Sequence, residues 1–265
     1  MMKFKIFFTI CALLSLSACS SQKNFFFPVE SVTLHEDGSF QINDPANKIL
    51  ILYTPGANDN HKGQICWKNA GTPKIIMALN GRKVNGKEII VHGYCSNAVG
   101  NIRGKIRSKS EARAPDLEKM VRRYQAQGVP PGQIFVAGNS MGGWSAILVA
   151  AKKNVEIAGT ITFAPANGVF IKGARRPYHA QLIKRQTTDV AGVKRIDALM
   201  FLFEGDPYNS PEDLAHMQSI PGVEYVAFKP CGNSRPHKTY KDECFIEANK
   251  DRIWNYIQKR VTQAQ

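Results

Sequence analysis

Acidic residues are scarce in this 265-residue chain: 21 Asp and Glu stand against 35 Lys and Arg, a formal charge of +14. Long basic runs are absent as well. The cations come in scattered pairs such as Arg122-Arg123, Lys152-Lys153 and Arg175-Arg176. No aromatic-interleaved stripe accompanies them, so nucleic acid is not an expected partner. An anionic membrane surface, an acidic polymer or a negatively charged substrate is the expected beneficiary, with plain solubility as the alternative. The apolar stretch 6–18 has thirteen residues, too few to span a bilayer as a helix. Internal repeats, low-complexity segments and Cys-x-x-Cys pairs are also missing. What is present, 43% apolar and 21% charged residues, suits one globular domain with a sizeable core and excludes disordered or fibrous classes.

The N-terminus carries two lysines, Lys3 and Lys5, ahead of the apolar stretch, the pattern of a secretory signal. It closes on Leu16-Ser17-Ala18-Cys19, which resembles the lipobox of bacterial lipoproteins residue by residue. That resemblance implies cleavage before Cys19 and acylation of that cysteine, hence a lipid anchor in the bacterial cell envelope. An ordinary cleaved signal with an incidental cysteine is the alternative. Ser20, where an Asp would suggest inner-membrane retention, favours the periplasmic face of an outer membrane in a Gram-negative cell. The expected division is a signal peptide at 1–18, a lipidated tether at 19–30 and a single domain at 31–265. Phe25, Phe26 and Phe27 in the tether are expected to dock on the domain or on the lipid surface.

With Cys11 removed and Cys19 lipidated, Cys66, Cys95, Cys231 and Cys244 remain in an oxidising compartment. Two disulfides are expected from three possible pairings. Cys66–Cys95 with Cys231–Cys244 is favoured because the latter closes a short loop. A metal site from Cys231, His237 and Cys244 is the weaker alternative, since it lacks a Cys-x-x-Cys pair and thiolate sites are uncommon where disulfides form. No metal and no cofactor are expected.

Beyond the tether, two short extended segments, 31–35 and 39–42, read as a hairpin around Glu36-Asp37-Gly38. Strands are predicted at 48–53, 88–92, 133–137, 157–163, 198–203 and 223–228, and helices at 73–79, 114–127, 141–152, 211–220 and 245–261. This alternation predicts an α/β fold with a mostly parallel sheet covered on both faces. The stretch 166–195 does not follow it. With Arg175, Arg176, Tyr178, Lys184 and Arg185, it reads as an insertion over the sheet edge where an anionic substrate could be gripped.

Between the strand 133–137 and the helix that follows stands Gly138-Asn139-Ser140-Met141-Gly142. A serine on a tight strand-to-helix turn needs small residues two before and two after it, so that backbone segments can approach. With that context, the chain from about residue 48 onward resembles the α/β-hydrolase superfamily. The resemblance implies a triad in the order Ser140, Asp206, His237, the acid and base following the last two strands. Ser140 would be the nucleophile and His237 the base that takes its proton. Asp206 would hold the imidazole tautomer. Glu204, Asp197 and Asp213 are rival acids. His35, His61, His92, His179 and His216 are rival bases in less suitable places.

The resemblance also assigns one oxyanion donor to the N–H of Met141 and the other to the loop after the strand 48–53. Ala57 is the choice there, with Gly56 or Asn58 as alternatives, because Pro55 stands where many relatives have the His of a His-Gly pair. His92-Gly93 is read as pocket wall and Trp144 as core. Lacking a large lid domain, the chain is most similar to the compact esterase and dienelactone-hydrolase-like branch. The expectation is a lipid-anchored serine hydrolase acting on a small-molecule or polymer-linked carboxylic ester, with an anionic ester as a further expectation. The alternatives are an amidase or peptidase, or a non-catalytic binding or assembly module on the same scaffold.

Overall fold

A computed structural model describes residues 32–34, 40–56, 72–94, 96, 109–167 and 177–263. A small hairpin, β1 (Val32–Leu34) against β2 (Phe40–Ile42), stands apart from the main sheet. The main sheet has seven strands: β3 (Lys48–Thr54), β4 (Lys83–Val84), β5 (Lys87–Gly93), β6 (Ile134–Asn139), β7 (Gly159–Phe163), β8 (Ala198–Phe203) and β9 (Val223–Phe228). Their spatial order is β4-β5-β3-β6-β7-β8-β9, parallel throughout except for the β4–β5 pair.

Strand periodicity of two sorts the side chains into two cores. Leu50, Leu52, Ile90, Ile134, Val136, Met200 and Leu202 point to one face, where they meet α2 (Lys109–Ala126) and α3 (Ser140–Lys152). Ile49, Ile51, Val91, Phe135, Phe201 and Phe203 point to the other, beneath α1 (Lys74–Met77) and α5 (Glu243–Gln263). Both faces of the central strands are covered, so β6 and β8 are buried at every position. Each large aliphatic or aromatic side chain buried this way contributes roughly 1.5–3 kcal/mol. Trp144 is fully buried, and its Nε1 donates to Asp189 Oδ2 at 3.1 Å.

Three elements differ from the sequence reading. The stretch 166–195 contains α4 (Pro177–Asp189), the helix of the β7-to-β8 crossover, so the alternation is not broken there. Arg185 clamps α4 to α2 through two bonds to Glu111, at 2.6 and 2.5 Å. Helix α2 begins five residues before the predicted 114 and runs through Pro115. Its early turns are held by tertiary bonds from Ser110, Glu111 and Arg113, which outweigh the missing proline N–H. The predicted helix 211–220 is only a 3-10 turn at Ala215–Ser219. The Pro211 carbonyl, which an α-helix would give to Ala215, accepts instead from the Tyr225 hydroxyl, and the Ala215 N–H turns to Glu212 O at 3.3 Å.

Candidate active site

The chain leaves β3 toward β5 on one side and returns to β6 on the other, so strand order reverses between β3 and β6. The carboxyl ends of strands at such a point form the natural crevice of an open α/β sheet. Ser140 sits there, on the turn from β6 into α3, with φ of 50°, a left-handed conformation costly for a residue with a Cβ. Backbone crowding enforces the turn. A Cβ on Gly138 would lie 2.7 Å from Thr54 O, and one on Gly142 would lie 2.2 Å from the same oxygen. Only glycine lets β3, β6 and α3 meet this closely.

Asn139, just before the serine, is buried, and its Oδ1 accepts from the Tyr53 hydroxyl at 2.7 Å and from the Gly56 N–H at 3.0 Å. It thereby ties the loop after β3 to the serine turn. The Ser140 carbonyl accepts from the Ala166 N–H at 2.9 Å, which fixes the loop after β7 to the same turn.

Asp206 follows β8, and its side chain is fully buried. His237 lies in the 3-10 turn Pro236–Lys241 after β9, with 14% of its side chain exposed. The two meet directly: His237 Nδ1 is 2.7 Å from Asp206 Oδ2. The other carboxylate oxygen accepts from the Tyr208 N–H at 2.9 Å. The Tyr208 ring leans on the imidazole at 4.4 Å between centroids.

The histidine turn is held at both ends. Cys231 and Cys244 are bonded across it, as expected from the sequence, so neither thiolate is available to a metal. Asp242 accepts from the Ser234 hydroxyl at 2.6 Å and from its N–H at 3.3 Å. Phe245, next to Cys244, packs edge-on against Phe163, Phe201, Phe203 and Phe228.

The rivals go elsewhere. Asp197 pairs with Arg195 and Arg260, Asp213 accepts from the Ser210 N–H, and Glu204 is exposed. His92, read as pocket wall, is instead buried under α2, where its Nδ1 meets the Tyr124 hydroxyl. Burial, reinforced by Arg123, pulls its pKa from 6.5 down to about 3. His216 lies on the 3-10 turn before β9, and burial lowers its pKa as well. His179 belongs to α4, while His35 and His61 lie outside the described residues.

Met141 occupies the first turn of α3, where a helical N–H has no intrahelical acceptor. Gly56, an alternative second donor, has its N–H committed to Asn139. Ala57 lies outside the described residues, as do Cys19, the Cys66–Cys95 pair, residues 1–30 and Arg175-Arg176. Among the described residues no His, Cys, Asp and Glu cluster could hold a metal ion, and no helix is long and apolar enough to cross a membrane. Asn139, Tyr208 and Arg113 were not identified from sequence. Arg113 is 5% exposed, its Nη1 donates to Pro55 O at 2.8 Å and to Gly56 O at 3.2 Å, and burial lowers its pKa to about 10.

No protein-family model matches the chain, and no curated protein matches it in sequence. Solved structures do match. The structure of DcsB with a substrate analogue aligns at a TM-score of 0.54 and 14% identity, covering 87% of this chain and 98% of that one. An esterase of Pyrococcus furiosus aligns at 0.52 and 15% identity, over 86% of this chain and 89% of its own. A thermophilic esterase of the planctomycete Thermogutta terrifontis aligns at 0.50 and 14% identity, over 89% and 95%. The parallel sheet, the serine turn at the strand-order reversal and these alignments together identify the α/β-hydrolase fold.

Proposed function

We propose that the protein is a serine hydrolase that cleaves carboxylic esters through an acyl-enzyme on Ser140. The observation that carries the reading is the 2.7 Å bond between His237 Nδ1 and the buried Asp206 carboxylate, at the same strand-end edge as the strained Ser140 turn. In this reading Ser140 Oγ attacks the ester carbonyl carbon while His237 Nε2 takes its proton. The Asp206 carboxylate stabilises the resulting imidazolium. The tetrahedral oxyanion is held by backbone N–H donors from Met141 and the loop after β3. Collapse expels the alcohol, which receives the proton from His237. Water then attacks the acyl carbon while His237 takes one of its protons, and the C–Oγ bond breaks to release the acid as His237 returns the proton to Ser140 Oγ. The esterases among the similar structures support an ester substrate.

Fluorophosphonate labelling of the purified protein, with Ser140→Ala alongside and a short-chain ester assay in parallel, tests the proposal. Labelling and turnover that both vanish in Ser140→Ala support it. Turnover that survives the substitution, or a folded wild-type protein that is neither labelled nor active, overturns it. Envelope attachment through acylated Cys19 is part of the same reading, supported by Leu16-Ser17-Ala18-Cys19. Palmitate incorporation in a bacterial host that Cys19→Ala abolishes is the expected result, and incorporation unaffected by the substitution contradicts it.

A further inference from the structure

Arg113 is a buried cation that the proposed mechanism does not use. Its side chain makes no ion pair with a carboxylate among the described residues, and its Nε is buried without a hydrogen-bond partner there. A buried guanidinium usually has an acid beside it, because removing the charge from water is otherwise uncompensated. Here the partners are two successive backbone carbonyls, Pro55 O and Gly56 O, both accepting from Nη1. That loop touches the serine turn: a Cβ on Gly56 would lie 2.9 Å from Ser140 Cβ. One turn earlier in α2, the Ser110 hydroxyl donates to Met141 O at 3.2 Å. The start of α2 therefore reaches both backbone segments that border Ser140.

We propose that Arg113 is a positioning residue for the reaction at Ser140: by holding the Pro55 and Gly56 carbonyls it fixes the loop after β3 against the serine turn before the nucleophile attacks. The inference rests on the hydrolase reading above. In a trans peptide the N–H lies opposite the C=O, so holding the carbonyl sets the direction of the donor. The Pro55 to Gly56 peptide is held from both sides, its C=O by Arg113 and its N–H by Asn139. The Gly56 carbonyl accepts from the same Nη1, so two successive carbonyls are held beside Ser140. A nucleophile turn braced in advance needs no reorganisation during the reaction, which is where such sites gain their effect.

The test uses the full purified protein with a short-chain p-nitrophenyl ester and a trifluoromethyl ketone of matching acyl chain, comparing wild type, Arg113→Gln and Arg113→Lys. Arg113→Gln is expected to lower kcat by about tenfold or more while KM moves by less than about threefold, and to weaken the ketone by a factor similar to the loss in kcat/KM. Arg113→Lys, which keeps the charge but not the two-carbonyl geometry, is expected to fall between. A folded Arg113→Gln with wild-type kcat, or with a change in KM alone, overturns the proposal. Should the Gln variant not fold, the Lys variant carries the test. A severalfold lower kcat at unchanged KM then supports the proposal, and a wild-type kcat overturns it. A folded wild-type protein that neither turns over ester nor labels at Ser140 removes the hydrolase reading and this inference together. An active wild type beside an unaffected Arg113→Gln removes this inference alone.

Discussion

Asn209 Nδ2 donates to the Pro165 carbonyl at 2.7 Å, joining the loop after β8 to the loop after β7. The neighbouring Ala166 N–H holds the Ser140 carbonyl, so the serine turn and the Asp206 loop are two hydrogen bonds apart. Asn209 is itself buried. Asn209→Ala leaves a buried carbonyl without its donor and is expected to cost about 1–3 kcal/mol. Because the bond sets the relative placement of Ser140 and Asp206, kcat should fall along with stability. Urea unfolding and ester kinetics on the same preparation check this, and an unchanged unfolding midpoint would refute the structural half of the prediction.

Gly142→Ala tests the crowding at the serine turn. Its Cβ would come 2.2 Å from Thr54 O and 2.5 Å from Pro55 O, both backbone atoms that cannot swing aside. A loss of more than about 3 kcal/mol, or no soluble protein, is expected. Gly143→Ala serves as the comparison, since its nearest contact would be 3.1 Å. Thermal melts that rank the two the other way would contradict the argument.

Opening the Cys231–Cys244 link should affect both stability and turnover. The bond spans 13 residues and encloses His237. Replacing both cysteines with serine is expected to cost about 2–3 kcal/mol by freeing the unfolded chain. It should also lower kcat, because the imidazole loses one of its anchors. Differential scanning calorimetry and kinetics, with reduced wild type as a second sample, measure the effect. Equal Tm values for the oxidised and serine forms would show that the link contributes nothing.

Acid should weaken the fold partly through His92. Its folded-state pKa, about 3, lies below the unfolded value of 6.5, so the neutral ring in the folded protein meets a chain that binds a proton on unfolding. The contribution is complete above the unfolded pKa and is lost as the pH falls toward the folded one, at up to ~1.4 kcal/mol per pH unit. Urea unfolding between about pH 7 and about pH 4 should show a shallower decline for His92→Gln than for wild type. Parallel declines would mean that His92 is not the group responsible.

Most of this architecture could be read from periodicity. The strands at 48–53, 133–137 and 198–203 are apolar runs with turn residues at their ends, and they form where expected. The pairing of Asp206 with His237 came from the resemblance to the α/β-hydrolase superfamily, not from periodicity, and the two side chains are hydrogen-bonded. The antiparallel β4 was missed although Asn85-Gly86 signals it, with φ of 51° and 80° at the two turn positions. Helix α4 was missed because its sequence, rich in Gln, Lys, Arg and Thr, reads as a polar loop until Arg185 and Asp189 find Glu111 and Trp144. Arg113 and Asn139 offered no local pattern, since their partners lie 57 to 86 residues away in the chain.

The division of the sheet into two cores gives the site two separate foundations. The serine turn is the start of α3, which is rooted in the face that holds Leu50, Val136 and Met200. The histidine turn rests on Tyr240 and Phe245, which belong to the opposite face with Ile51, Phe135 and Phe201. Along β3, β6 and β8, neighbouring residues therefore support different members of the proposed triad. A cavity cut at an even-numbered position loosens the footing of the serine turn, and one cut a single residue away loosens that of the histidine turn. The two kinds of defect are buried on opposite sides of the sheet and meet only at its carboxyl edge, where misalignment of either turn would stall the proton transfer of the proposed mechanism.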